Sequence, residues 1–121
     1  ALKIKEITYI HSEGMMAGEL KHGTLALIEK GVPVIALIPN NNAQMTSNTK
    51  EVESRGAYTI SIINKKTDYK ADFEFVVPQS SDVEFGLYAV IIGQLLTYYI
   101  GLEKKLPIDK PRNLAKSVTV E

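Results

Sequence analysis

The sequence predicts an α/β fold built on a mostly parallel sheet, and three observations support this fold class. Residues 32–38 form a nearly continuous apolar run that ends at a proline and three asparagines. A strand buried on both faces has this composition, and such strands belong to parallel sheets. Residues 58–63 are rich in β-branched side chains and predict a second strand. Helical patterns alternate with these strands, which is typical of layered α/β folds.

Three helices are expected in the first half of the chain. Residues 1–13 contain neither glycine nor proline and predict a helix that Gly14 ends. A short second helix is expected over residues 18–28. Residues 42–55 are polar and predict a third helix, with Gly56 at its C-terminal end. The asparagines that precede it should turn the chain and cap this helix.

A third strand and a long helix should complete the series of secondary-structure elements. Residues 73–77 predict the strand, and Ser81 or Asp82 should cap a helix that runs to about Lys104. Glycines, a glutamine and adjacent tyrosines interrupt the apolar stretch of this helix. We therefore expect a core helix of a cytoplasmic protein, with no membrane span. Three strands are few for this class, so at least one strand should precede Ala1.

Composition excludes several classes of function. Fourteen basic and 14 acidic residues give a formal net charge of zero, which argues against a nucleic-acid partner. The chain has no cysteine, which excludes disulfides and thiolate metal sites. Its two histidines, His11 and His22, have no usual zinc-ligand spacing. We expect no metal and no cofactor.

Two charged residues of the first helix share a largely apolar face. At about 100° per residue, Lys3 and Glu6 project roughly 60° apart. Burial of charged groups is costly unless they are paired or functional. A carboxylate in this position can shuttle a proton. A plain ion pair on the helix surface is the simpler interpretation, and spacing alone favours it.

A histidine and a lysine are the other candidates for chemistry. His22 ends a polar turn bracketed by glycines and is well placed to reach a ligand, although a solvated or capping histidine is simpler. His11 should be a packed or surface residue. Lys116 lies in a tail, residues 106–121, whose apolar side chains can dock it. Its amine can form an imine with a sugar carbonyl if burial or nearby Arg112 favours the neutral form. An exposed tail lysine is the simpler interpretation.

Residues 1–13, 17–23 and 111–121 together resemble the C-terminal SIS (sugar isomerase) domain of the isomerising glutamine–fructose-6-phosphate aminotransferases, or glucosamine-6-phosphate synthases. The first two segments indicate the wider SIS family, and the tail is specific to the synthases. The resemblance implies a flavodoxin-like three-layer sandwich with a functional C-terminal tail. It also implies a homodimer that converts fructose 6-phosphate and glutamine-derived ammonia to glucosamine 6-phosphate. The glutaminase domain and the first SIS domain, which carries the phosphate-binding loop, would precede Ala1.

The resemblance also implies a role for each matched residue. Glu6 would move the proton between C1 and C2 of the sugar, with Lys3 beside it. His22 would assist ring opening in the neighbouring subunit's active site. Lys116 would form the imine with the open-chain sugar, with Ala115 lining the same pocket. Lys116 should therefore lie close to Glu6.

Two alternatives stay open at this point. One is an SIS module that binds sugar phosphates and regulates a partner without catalysis. The other is a different SIS isomerase or deglycase that does not use glutamine. Thr24 departs from the synthase pattern, in which a proline often follows Gly23, and the change should affect the turn only locally. The 121 residues alone should be nearly inactive because they lack the phosphate loop and the ammonia source.

Overall fold

The computed structural model describes residues 1–114. Contacts between residues divide the chain into two compact units. One unit contains residues 1–14 and the described residues from 90 onward, and the other contains Met15–Ala89. The parallel sheet lies in the second unit, while the helix that carries Lys3 and Glu6 lies in the first.

Three strands form one sheet, ordered as in the sequence: β1 (Pro33–Ile38), β2 (Tyr58–Ile63) and β3 (Phe73–Val76). All neighbouring strands are parallel, with Pro33 opposite Tyr58 and Ile60 opposite Phe73. The predicted α/β fold class with a parallel sheet is therefore confirmed. The strand bounds lie within one residue of those predicted from the apolar runs.

Only one face of β1 is buried, so the expectation of burial on both faces was wrong. Ala36 and Ile38 are buried, and they pack with Ile63 and Tyr69 in the core of this unit. The alternate side chains, Ile35 and Leu37, are 39% and 43% exposed. Successive side chains of a strand point to opposite faces. The run is apolar throughout, but only the face of Ala36 and Ile38 is covered.

The helix after β1 begins where its cap was predicted. The second helix of the fold, α2 (Ala43–Glu53), starts after Asn42, whose side-chain oxygen accepts a 2.9 Å hydrogen bond from the N–H of Met45. Gly56 follows this helix with φ of 96°, a conformation that glycine adopts without a Cβ penalty. The polar pattern and its end residues thus predicted this element correctly.

The segment before β1 departs from the prediction of one helix over residues 18–28. It forms two short 3₁₀ helices, Ala17–His22 and Thr24–Leu27. Gly23 separates them with φ of 134°. That φ lies far outside the helical region, so a continuous α-helix cannot pass through this glycine.

The long helix, α3 (Asp82–Glu103), begins at a capping box. The Ser81 hydroxyl donates 2.8 Å to Glu84 Oε2, while the Glu84 N–H lies 3.4 Å from the Ser81 hydroxyl oxygen. Among the described residues, α3 is the one helix long and apolar enough to cross a membrane, with mean hydropathy of 1.6. Core helices of water-soluble proteins share these properties, so length and composition alone do not assign α3 to a membrane.

The first helix, α1 (Leu2–Thr8), ends five residues earlier than predicted. Tyr9 ends it in the left-handed conformation, with φ of 60° and ψ of 18°, and Gly14 plays no part. The Thr8 hydroxyl donates 2.6 Å to the carbonyl of Ile4 and accepts from the N–H of Ile10 at 3.3 Å. Such local side-chain bonds compete with continuation of a helix.

Close packing holds α1, α3 and the chain after α3 together within the first unit. A Cβ on Gly101 of α3 would lie 3.1 Å from Ile108 and 3.4 Å from Ile7. The N–H of Leu106 donates 2.9 Å to the carbonyl of Gly101. Because Gly101 has no side chain, residues 106–108 can pass close to α3. The chain then continues to residues 112–114.

Candidate active site

Lys3 and Glu6 form a direct ion pair on α1. The Lys3 Nζ lies 2.6 Å from Glu6 Oε2, as expected for residues one helical turn apart. The Lys3 side chain is 62% exposed, whereas that of Glu6 is 25% exposed. The ion-pair interpretation of this spacing is confirmed. The carboxylate of Glu6 is the more sheltered of the two groups and is held in one orientation by its partner.

Glu6 also lines a cleft with residues 112–114 of the predicted tail. The cleft has a volume of about 240 Å³, and its lining residues are Lys5, Glu6, Tyr9, Arg112, Asn113 and Leu114. Residues from the two ends of the described chain therefore face one space. A carboxylate, two cations, a phenol and an amide offer the polar groups that a small polar ligand requires.

A contact between Tyr9 and Arg112 closes one side of this cleft. The backbone N–H of Arg112 donates a 2.8 Å hydrogen bond to the Tyr9 hydroxyl oxygen. The guanidinium carbon of Arg112 lies 4.1 Å from the centroid of the Tyr9 ring, within the range of a cation–π interaction. Sequence reasoning did not select Tyr9, because a pairing across 103 residues leaves no local signal.

Ala115 and Lys116, the two tail residues predicted to meet the sugar, lie outside the described residues. Their predicted positions near Glu6 stay predictions. The described part of the tail brings Leu114 to the same cleft as Glu6. Arg112, which the sequence offered as a cation near Lys116, has its guanidinium over the Tyr9 ring.

His22 lies in the unit that contains the sheet, at the end of the 3₁₀ helix Ala17–His22, and is exposed. The preceding residue, Lys21, places its Nζ 3.3 Å from Glu51 Oε2 and so links this turn to α2. His22 thus ends a structural element, as expected, and Gly23 follows it with φ of 134°. His11 is a surface residue, with Nε2 3.6 Å from Glu13 Oε1.

Side chains at the carboxyl ends of the strands bind one another. The Asn64 side-chain oxygen accepts from the N–H of Asn40 at 2.6 Å, and its amide donates to the Ser80 carbonyl at 3.1 Å. The Asn40 amide donates to Asp82 Oδ1 at 2.7 Å. Ligands often bind at this edge of open α/β sheets. Here the hydrogen bonds join the segments after β1, β2 and β3, which agrees with the predicted turning and capping role.

The residues with shifted pKa values belong to structural contacts. The Thr59 backbone N–H and hydroxyl donate to the Asp72 carboxylate at 2.7 and 3.0 Å. These bonds, the backbone one first, lower the pKa of Asp72. Burial raises the pKa of Tyr69, whose hydroxyl donates to Thr59. The Ser81 backbone and hydroxyl donors lower the pKa of Glu84. None of these three groups lines the cleft of Glu6.

Over residues 1–114, no group of three histidine, aspartate or glutamate side chains is arranged to hold a metal ion. The candidate residues described above carry carboxylate, imidazole, amine and phenol groups. Proton transfer and carbonyl chemistry fall within the range of these groups.

Comparison with known proteins gives consistent matches. The profile of the SIS domain family matches residues 1–102. Similar curated proteins are named glutamine–fructose-6-phosphate aminotransferase (isomerizing). The protein of Methanosarcina acetivorans is 48% identical over 126 residues, that of Staphylococcus epidermidis 50% over 123, and that of Lactiplantibacillus plantarum 51% over 123. Each match covers 100% of this chain but 20% of the relative, so the chain spans about a fifth of their length.

A solved structure is also similar to this chain. It is the C-terminal domain of glucosamine-fructose-6-phosphate aminotransferase from Francisella tularensis, with a TM-score of 0.83 and 34% sequence identity. The match covers 91% of this chain and 32% of that one. The similarity agrees with the parallel α/β sheet described above.

Proposed function

Because the chain belongs to the SIS domain family, we propose that it forms part of the isomerase portion of a glutamine–fructose-6-phosphate aminotransferase. The observation that carries this proposal is identity of 48–51% along the whole chain, tail included, to enzymes of that name. The cleft that contains both Glu6 and residues 112–114 of the tail supports it.

The proposed reaction joins nitrogen to a sugar and then isomerises it. Ammonia released from glutamine condenses with the C2 ketone of open-chain fructose 6-phosphate, and water leaves. A proton then moves from C1 to C2, which gives glucosamine 6-phosphate. The step needs a base that accepts the C1 proton and returns it at C2.

Glu6 is the proposed base. Its carboxylate is three-quarters buried, lines the cleft and is held at 2.6 Å by Lys3. Lys3 is proposed to fix this orientation and to stabilise the carboxylate. A base on a helix keeps its position relative to the cleft better than a base on a loop, which favours proton transfer between two adjacent carbons.

Lys116 is the proposed imine-forming amine, and Ala115 the proposed lining of the same pocket. A neutral amine adds to the C2 carbonyl of the open-chain sugar and the ketone oxygen leaves as water, so that a C=N bond holds the sugar open. Ammonia then adds to this carbon and the lysine amine leaves, so that one water is lost overall. Arg112 and Asn113, both in the cleft with Glu6, immediately precede these two residues and Leu114 in sequence.

His22 is proposed to assist ring opening in the active site of the neighbouring subunit of a homodimer. Its exposure at the end of a 3₁₀ helix suits a residue that reaches another chain. The complete enzyme would be a cytoplasmic protein in which glutaminase and first SIS domains supply the ammonia and the phosphate-binding loop. In this proposal the 121 residues are a partial SIS domain with a functional tail over 106–121.

Replacement of Glu6 in the complete enzyme tests this proposal. Glu6→Gln keeps the size of the side chain but cannot accept the proton, so formation of glucosamine 6-phosphate should fall by about 10²- to 10⁴-fold. Glu13→Gln, which changes an exposed carboxylate beside His11, is the matched control and should leave turnover unchanged. Unchanged turnover in Glu6→Gln, together with altered sugar-phosphate binding, would instead support a regulatory SIS module.

A further inference from the structure

Tyr9 has a backbone conformation that is unusual for its residue type. It ends α1 with φ of 60° and ψ of 18°. Glycine and asparagine are the usual residues in this left-handed position after a helix, because a Cβ there meets the following carbonyl. A bulky aromatic residue at positive φ is a marked exception. Its side chain must therefore gain contacts that offset this cost.

Those contacts are both with Arg112. The Tyr9 hydroxyl accepts the backbone N–H of Arg112 at 2.8 Å, and the ring lies 4.1 Å from the guanidinium carbon. The hydrogen bond fixes the path of the main chain, and the ring fixes the direction of the side chain. One tyrosine thus holds the tail at both its backbone and its side chain.

The held residue lies directly beside the proposed chemistry. Arg112, Asn113 and Leu114 line the cleft that contains Glu6. Four residues of fully extended chain span at most about 14 Å, which limits how far Lys116 can lie from a fixed Arg112. Restriction of a reacting group to a small volume lowers the entropy lost when it reaches its partner.

We propose that Tyr9 is a positioning residue that fixes the C-terminal tail at Arg112, beside Glu6. This role rests on the proposed function, because it concerns delivery of Lys116 to the sugar. In this role Tyr9 acts through its two contacts with Arg112. Because Tyr9 makes two contacts, we expect removal of its hydroxyl to lower turnover and removal of the whole side chain to lower turnover further.

Two variants of Tyr9 in the complete enzyme separate positioning from stability. Tyr9→Phe keeps the ring and loses the hydrogen bond. Tyr9→Gly loses both contacts but suits the left-handed backbone, so its thermal midpoint should not fall. Tyr58→Phe is the matched control, since Tyr58 is 45% exposed and does not line the cleft of Glu6.

Amide hydrogen exchange at Arg112 measures the anchoring directly. Loss of the hydroxyl acceptor should speed exchange of this amide by about 10-fold in Tyr9→Phe, and Tyr9→Gly should exchange at least as fast. In both variants kcat should fall, by roughly 10- to 100-fold for Tyr9→Gly, with KM for fructose 6-phosphate changed less than threefold. Borohydride trapping of the sugar imine should slow in proportion to kcat.

The two readouts distinguish the possible failures. Unchanged Arg112 exchange in both variants would overturn the anchoring, whatever the reaction. Faster exchange with wild-type kcat and trapping would overturn the positioning role and leave the proposed function intact. A wild-type enzyme with protected Arg112 and no transferase activity would overturn the proposed function, and the positioning role with it.

Discussion

The ammonium of Lys3 lies 2.6 Å from the Glu6 carboxylate, while the Lys3 side chain itself is mostly exposed. Exposed ion pairs one helical turn apart contribute little to folding, typically about 0.3–0.5 kcal/mol. The pair therefore has little importance for stability. Its expected importance is in the orientation of the carboxylate toward the cleft.

Lys3→Gln should accordingly separate activity from stability. We expect the free energy of unfolding to change by less than about 0.5 kcal/mol. Turnover should fall by roughly 10-fold, because the carboxylate loses its partner and its fixed orientation. Steady-state assays and urea denaturation of the complete enzyme measure the two quantities. Lys104→Gln, which removes an exposed cation after α3, should change neither.

Gly56 and Gly31 allow a matched test of backbone packing. Both have positive φ, 96° and 85°, but a Cβ on Gly56 would lie 3.0 Å from the Cα of Lys30, whereas Gly31 has open space. Gly31→Ala should lower the free energy of unfolding by about 1–2 kcal/mol because of the backbone conformation alone. Gly56→Ala should lower it by at least about 1 kcal/mol more, because the neighbouring backbone must shift. Equal losses in urea denaturation would show that the contact with Lys30 has no effect.

Asp72 should make stability depend on acid pH. Hydrogen bonds from Thr59 lower its folded pKa below the ordinary value of 3.8. Its contribution to stability is thus present above pH 3.8 and is lost as the pH falls through the lower folded value. Asp72→Asn should lower the denaturation midpoint at pH 7, and the difference from wild type should narrow below pH 4. Asp68→Asn, at an exposed position, is the control. A difference that stays constant from neutral to acid pH would contradict this assignment.

Asn64 should be the most sensitive polar residue at the edge of the sheet. Its buried side chain bonds the N–H of Asn40 and the carbonyl of Ser80. Asn64→Ala leaves both backbone groups without this partner and should cost about 1–3 kcal/mol of unfolding free energy. Gln44→Ala, at an exposed position on α2, should change stability by less than about 0.5 kcal/mol. A loss at Asn64 no larger than that at Gln44 would mean that water replaces these bonds freely.

The sheet and the longer helices were predictable because their signals are local. The apolar run of β1, the β-branched residues of β2, the Asn42 cap and the Ser81–Glu84 capping box each lie within a few residues of the element they define. The burial of β1 was not predictable in the same way. A uniformly apolar strand does not reveal which of its faces will be covered.

Helix ends were the least predictable part of the fold. Thr8 and Tyr9 end α1 through side-chain bonds and a left-handed backbone that tyrosine rarely adopts. Gly23 divides the next segment because its φ is one that glycine permits, and the neighbouring sequence gives no signal for this conformation. The Lys3–Glu6 pair was visible from its spacing. The Tyr9–Arg112 contact was not, because it depends on how the two ends of the chain meet.

Imine trapping with mass mapping tests the central claim most directly. The complete enzyme is incubated with fructose 6-phosphate, reduced with borohydride and digested. We predict a sugar adduct on Lys116 that is absent from Lys116→Arg. The adduct should persist in Glu6→Gln, although that variant forms almost no glucosamine 6-phosphate, because imine formation precedes the proton transfer. An adduct confined to other lysines, or wild-type turnover by Glu6→Gln, would contradict the account.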